Sequence, residues 1–181
     1  MPTFSNMEIH FKDKSENWQY DKLITIGGEK EGGEIVASIA ITDTRGIGTR
    51  VNVLASAGNP CSQDLRCVDG VVYIGCGAYL FVIDTRDQAI ARYLLDGYFG
   101  EMYETSDIDD PAPNFSILAT SASEVLAFSK TGELLWKQSC LGVDGIVLHH
   151  ISDGHVIGSG EWDPPGGWLK FVLNLASGAV I

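Results

Sequence analysis

The chain has 181 residues, enough for one domain's core, with 45% apolar and 20% charged residues. Its net charge of −12 argues against nucleic acid or an anionic membrane surface as partner. No run approaches the ~18 consecutive apolar residues of a spanning helix.

Along the chain, Met1 to Tyr20 is polar and of mixed charge. It has no apolar h-region, so no secretory signal is expected and the protein reads as cytoplasmic. Met7 to Phe11 could supply a strand that completes a sheet. The glycine pairs Gly27-Gly28 and Gly32-Gly33 lack a following Lys-Ser/Thr and so form no phosphate loop. Cys61, Cys67, Cys76 and Cys140 show no metal-like pairing and read as free thiols.

Three segments then read alike: Val71 to Leu95, Phe115 to Ser139 and His155 to Ile181. Each has an apolar strand ending in small residues, a break, a second apolar strand, a polar turn and a third strand. The residue closing the second strand is Asp84, Ser129 or Asn174, 45 residues apart each time. Ile39 to Leu54 resembles Leu80 to Leu95 and places Asp43 41 residues before Asp84. Asp, Ser and Asn can bond the backbone two residues on and start a turn. Asp69-Gly70 and Asp153-Gly154 predict two-residue hairpin turns before the first strand of their repeats. Thr131-Gly132 and Ser177-Gly178 supply positive φ. Thr, Val, Ile and aromatics fill the apolar runs and glycine interrupts them, so little helix is expected. A period of 41 to 45 residues suits a four-stranded propeller blade. The expectation is an all-β, propeller-like chain of about four antiparallel blades, repeats 20–57, 58–97, 98–139 and 140–181 of a single domain, either closed or open.

At Ala127 to Trp136, AFSKTGELLW, the sequence resembles the repeat of quinoprotein-type (PQQ-like) propellers, with its Asp-centred Thr-Gly turn and strand ending in Trp. Val156 to Gly160 is similar to the preceding strand of those repeats. The resemblance covers Val71 to Ile181 well and Ile35 to Leu54 weakly. Ser129 stands in place of the Asp, and Tyr93 in place of the Trp one repeat earlier. The long chain and charged cage of a quinone enzyme are missing, so the resemblance implies the fold without a redox cofactor.

Four places carry candidate function. From Tyr93 to Ser129 there are seven acids, Asp107, Asp109 and Asp110 among them, and no Lys or Arg. This is either a solvated stretch or a face for a basic partner. Tyr98 and Tyr103 flank Phe, Met and Glu, a composition found at interfaces as well as in inner strands. His149, His150 and His155 could form a metal or acid–base centre in a propeller funnel. Neighbouring strand residues point to opposite faces, however, so His149 and His150 should not converge. Glu161-Trp162-Asp163-Pro-Pro-Gly-Gly-Trp168 is an insertion in the last repeat. It is either a recognition loop, for a protein or a sugar, or a loop that folds back to cap the core, with Trp168 starting the next strand.

No catalytic, cofactor or metal motif emerges. Neither a Gly-x-Ser-x-Gly elbow nor a glycosidase-like carboxylate spacing is present. The expected function is a non-catalytic protein-binding module, in its concrete form an acidic inhibitor or immunity protein for a basic toxin such as a nuclease. The alternatives are an enzyme or small-ligand binder using a propeller funnel, and a self-assembling repeat that dimerises if the propeller is open.

Overall fold

The computed structural model describes residues 8–12, 18–27, 33–43, 45–55, 63–104 and 115–181. They form fifteen strands in four sheets, with no helix among them. The protein is therefore all-β, as its β-branched, glycine-punctuated runs predict. No helix of the described residues is long and apolar enough to cross a membrane. The chain divides into two compact units, Met1–Pro60 and Cys61–Ile181.

In the first unit, β1 (Glu8–Lys12), β2 (Lys22–Gly27), β3 (Glu34–Thr42) and β4 (Gly48–Ala55) form one sheet in the order β1-β3-β4-β2. The expected N-terminal strand is present: β1 pairs antiparallel with β3, Glu8 opposite Thr42. The sheet differs from the expected antiparallel blade because β2 runs parallel to β4, Lys22 opposite Thr49. A local sequence pattern identifies β2 as a strand but not its partner. The Asp21 carboxylate accepts the Gly48 N–H at 2.8 Å and helps hold β2 beside β4.

The second unit is more regular. β5 (Gln63–Val68), β6 (Val71–Cys76), β7 (Tyr79–Asp84) and β8 (Ile90–Leu94) make one antiparallel meander. β9 (Phe99–Glu104), β10 (Ile117–Ser121), β11 (Val125–Phe128) and β12 (Leu134–Gln138) make the next. β13 (Ile146–Ser152), β14 (His155–Glu161) and β15 (Trp168–Asn174) make the last, and Val180 adds a single bridge to Leu173.

The turns form as their residues predict. Asp69 and Gly70 have φ 50° and 84°, and Asp153 and Gly154 have 50° and 73°, in two-residue hairpins between Val68 and Val71 and between Ser152 and His155. Two successive positive φ values match the right-handed twist of the strands, and Asp-Gly tolerates them best. At the other repeated turn the strand-closing side chain takes backbone N–H groups in every copy. Asp43 Oδ1 accepts from Arg45 and Ile47, both at 2.9 Å. Asp84 Oδ1 accepts from Arg86 at 2.9 Å. Ser129 Oγ accepts from Thr131 and Glu133 at 3.2 Å. Asn174 Oδ1 accepts from Ala176 and Ser177 at 3.0 Å. Three residue types fill one position because each carries an oxygen within reach of those donors.

The cores of the second unit lie between its sheets. Period-two alternation divides the middle meander between two clusters. Ile117, Ala119, Leu126 and Phe128 join Val71, Tyr73, Leu80 and Val82 of the preceding sheet. Leu118, Val125, Ala127 and Trp136 join Ile146, Leu148, Val156, Phe171 and Leu173 of the following one. Each fully buried large side chain contributes about 1.5–3 kcal/mol. An aromatic of the fourth strand reaches onward to the next sheet in both complete meanders. Tyr93 packs edge-on to Phe128 with centroids 5.1 Å apart. Trp136 donates its indole N–H to the Leu175 carbonyl at 2.8 Å. The Trp136 ring lies so close to Gly178 that a Cβ there would stand 2.5 Å from it.

Candidate functional site

Because each meander reverses direction strand by strand, the second unit has two ends. One carries the hairpins and side-chain-closed turns. The other carries the segments around residues 95–98, 122–124, 139–145 and 162–167. Backbone bonds stitch these segments together: Ala122 N–H to Tyr98 O at 3.1 Å, Leu141 N–H to Ser123 O at 3.0 Å, Gly145 N–H to Ala122 O and Glu161 N–H to Gly145 O, both at 2.9 Å. Gly160 permits the closest approach, since a Cβ there would fall 1.7 Å from the Leu141 carbonyl oxygen.

Between them opens a pocket of about 330 Å³, walled by Asp96, Ala122, Ser123, Cys140, Val143 and Trp162 among others. Asp96 is held from two sides. Its Oδ2 accepts the Ser123 hydroxyl at 2.6 Å, and its backbone N–H donates to Glu124 Oε2 at 3.0 Å. Glu124 is buried, 3% exposed. Its other oxygen takes Lys137 Nζ at 2.6 Å and the Ser139 hydroxyl at 3.1 Å. A buried carboxylate is tolerated only with such partners. The Glu124 charge is thus matched by Lys137, whereas the pocket wall, which contains Asp96, includes no Lys or Arg among the described residues.

The insertion loop supplies the aromatic side of the pocket. Trp162 N–H donates to Gly167 O at 2.9 Å and Gly166 N–H to Glu161 Oε1 at 2.7 Å, which closes the loop on itself. Trp162 as a residue stays 42% exposed. Asp163 is exposed beside it. Tyr98, also exposed, donates its hydroxyl to the Asp144 carbonyl. Burial, then the Asp144 and Glu161 charges, hold this phenol above its usual range. Tyr98, Glu161, Trp162 and Asp163, separated by up to 65 residues in sequence, therefore lie at the same end of the unit, and of these Trp162 lines the pocket.

The remaining candidates lie elsewhere. Tyr103 packs against the second core. Its hydroxyl accepts the Leu148 N–H at 3.2 Å and donates to Glu101 at 3.0 Å. The Leu148 bond ties β9 to the edge strand β13, and burial foremost pushes the phenol up to about 12. Asp107, Asp109 and Asp110 lie outside the described residues. His149 and His150 lie on β13. A bulge between Leu148 and His150 interrupts the register with β14, and both rings are exposed. His149 Nε2 bonds Ser159 Oγ at 2.8 Å. No group of three or more His, Cys, Asp or Glu able to hold a metal occurs among the described residues. Cys67, Cys76 and Cys140 are free thiols. Burial raises Cys67 to about 11, so it stays a thiol at neutral pH.

Sequence reasoning missed Asp96, Ser123, Glu124 and Cys140 as parts of this site. Asp96-Gly97 carried a turn signal, but no local pattern links it to Trp162, 66 residues later. No protein-family model matches the chain, and no curated protein matches it.

Proposed function

We propose that the chain is a non-catalytic protein-binding module built on quinoprotein-type propeller repeats, and that its partner is a basic protein, in the concrete form of a toxin such as a nuclease that it inhibits. The repeat reading is supported by three consecutive meanders, by the turn that recurs at Asp84, Ser129 and Asn174, and by the onward-reaching Tyr93 and Trp136. The partner reading rests on one observation: Asp96 and Trp162 line a pocket with no Lys or Arg in its wall among the described residues, at the end of the unit that also carries Tyr98, Asp144, Glu161 and Asp163. Exposed aromatics supply contact energy at low entropic cost, and the surrounding negative field accelerates encounter with a basic surface. The acidic triplet Asp107, Asp109 and Asp110, outside the described residues, contributes to the chain's net charge of −12.

Affinity capture from native lysate at about 50 and about 300 mM salt tests this reading, because screening separates electrostatic from apolar retention. The wild type should retain a basic protein that salt releases. The Glu161→Gln/Trp162→Ala double variant should lose it. Equal retention by both, or retention independent of salt, would overturn the assignment.

A further inference from the structure

We propose that the pocket between Asp96 and Trp162 receives an arginine side chain of the partner. This deepens the binding-module reading and rests on it. At about 330 Å³ the pocket is at the small end of ligand sites, which run from about 300 to 1,000 Å³. It suits one long side chain rather than a folded segment. Its walls match the three parts of arginine. Ala122 and Val143 offer apolar surface to the methylene stem. The half-exposed Trp162 ring is the aromatic face on which a guanidinium stacks best. Asp96 offers the carboxylate, already oriented by Ser123 and by the Glu124 bond to its backbone, so little freedom is lost on pairing.

Arginine rather than lysine follows from geometry. A planar fork can stack on an indole and pair with a carboxylate at once, whereas an ammonium is a point charge with a tightly held water shell. Lys137 does not compete for Asp96 by occupying the pocket. Its ammonium sits 2.6 Å from Glu124, and Lys137 is not among the wall residues.

The test is a ¹⁵N-correlation NMR titration of the full chain, with the Trp162 indole N–H assigned through Trp162→Phe. The probes are N-acetyl-arginine amide, the isosteric uncharged N-acetyl-citrulline amide, and maltose. The arginine probe should shift the Trp162 indole and bind about tenfold or more tightly than citrulline. Asp96→Asn, which keeps an oxygen for Ser123, should weaken the arginine probe by about tenfold while the spectrum stays dispersed. Equal binding of arginine and citrulline, or no effect of Asp96→Asn, would overturn the proposal. A shift with maltose alone would make the pocket a carbohydrate site and overturn it as well. If the arginine probe fails while the wild type still captures a basic protein that Glu161→Gln/Trp162→Ala loses, the module reading stands and the arginine pocket falls. If the probe binds and no basic protein is captured, the pocket stands and the module reading falls.

Discussion

At one end of the second unit, Asp84, Ser129 and Asn174 turn their oxygens inward on their own backbone. At the other end, Asp96 and Trp162 border an open pocket. Both ends are rich in acids, turns and glycines, so composition alone does not tell them apart. What separates them is where the polar groups are committed. Asp84 meets the Arg86 N–H and guanidinium, the latter at 2.6 Å, and its chemistry is used up in closing the turn. Asp96 is instead held by neighbours that carry no positive charge, Ser123 and the Glu124 carboxylate. The difference teaches that an acid in a turn is structural when its own loop satisfies it, and is a recognition candidate when other segments hold it in place.

The contrast between the end of closed turns and the end that carries the pocket leads to a graded series of outcomes. Trp136 belongs to the sheet-to-sheet packing, and Trp136→Ala should cost about 3–5 kcal/mol in urea unfolding, through the emptied space and the orphaned Leu175 carbonyl. Glu124 supports the pocket from inside. Glu124→Ala should cost about 2 kcal/mol and displace the Asp96 backbone amide resonance, because a buried set of bonds to Asp96, Ser139 and Lys137 is lost. Asn174→Ala removes one turn closure and should cost about 1 kcal/mol with no change in partner capture.

Asp84 adds a pH dependence. The Arg86 hydrogen bonds hold its carboxyl below the ordinary 3.8, so its contribution is present above that value and is lost as pH falls through the lower folded value. Asp84→Asn should therefore flatten the acid limb of the stability curve, measured by chemical unfolding between about pH 5 and about pH 3. The smallest stability effect belongs to Trp162→Ala, within about 0.5 kcal/mol of wild type, although this variant should weaken partner binding. A large loss of stability there would make Trp162 a core cap and erase the distinction between the ends.

Strand content, the absence of helix among the described residues, the Asp-Gly hairpins and the 45-residue recurrence were legible in the sequence. Each depends on residues only a few positions apart: alternation for a strand, positive φ for a hairpin, an oxygen two residues from a donor for a turn. The Glu161–Trp168 loop was also visible, as an insertion rich in Trp, Pro and Gly. Three things were not. The parallel pairing of β2 with β4 joins segments more than twenty residues apart, which no local pattern specifies. The bulge at His149 breaks the alternation without any glycine or proline to announce it. The pocket needs segments from four loops at once.

By itself, then, the sequence determined an acidic all-β chain with a recurring turn and a loop fit for contact, because those properties follow from side-chain chemistry and local backbone preference. Only the tertiary structure decided that Tyr103 is tied into the fold while Tyr98 stays exposed, and that Asp96 rather than a histidine lines a pocket with Trp162. Both outcomes follow from sheet stacking, which brings distant loops to one end and is dictated by the buried faces between sheets rather than by the loops themselves.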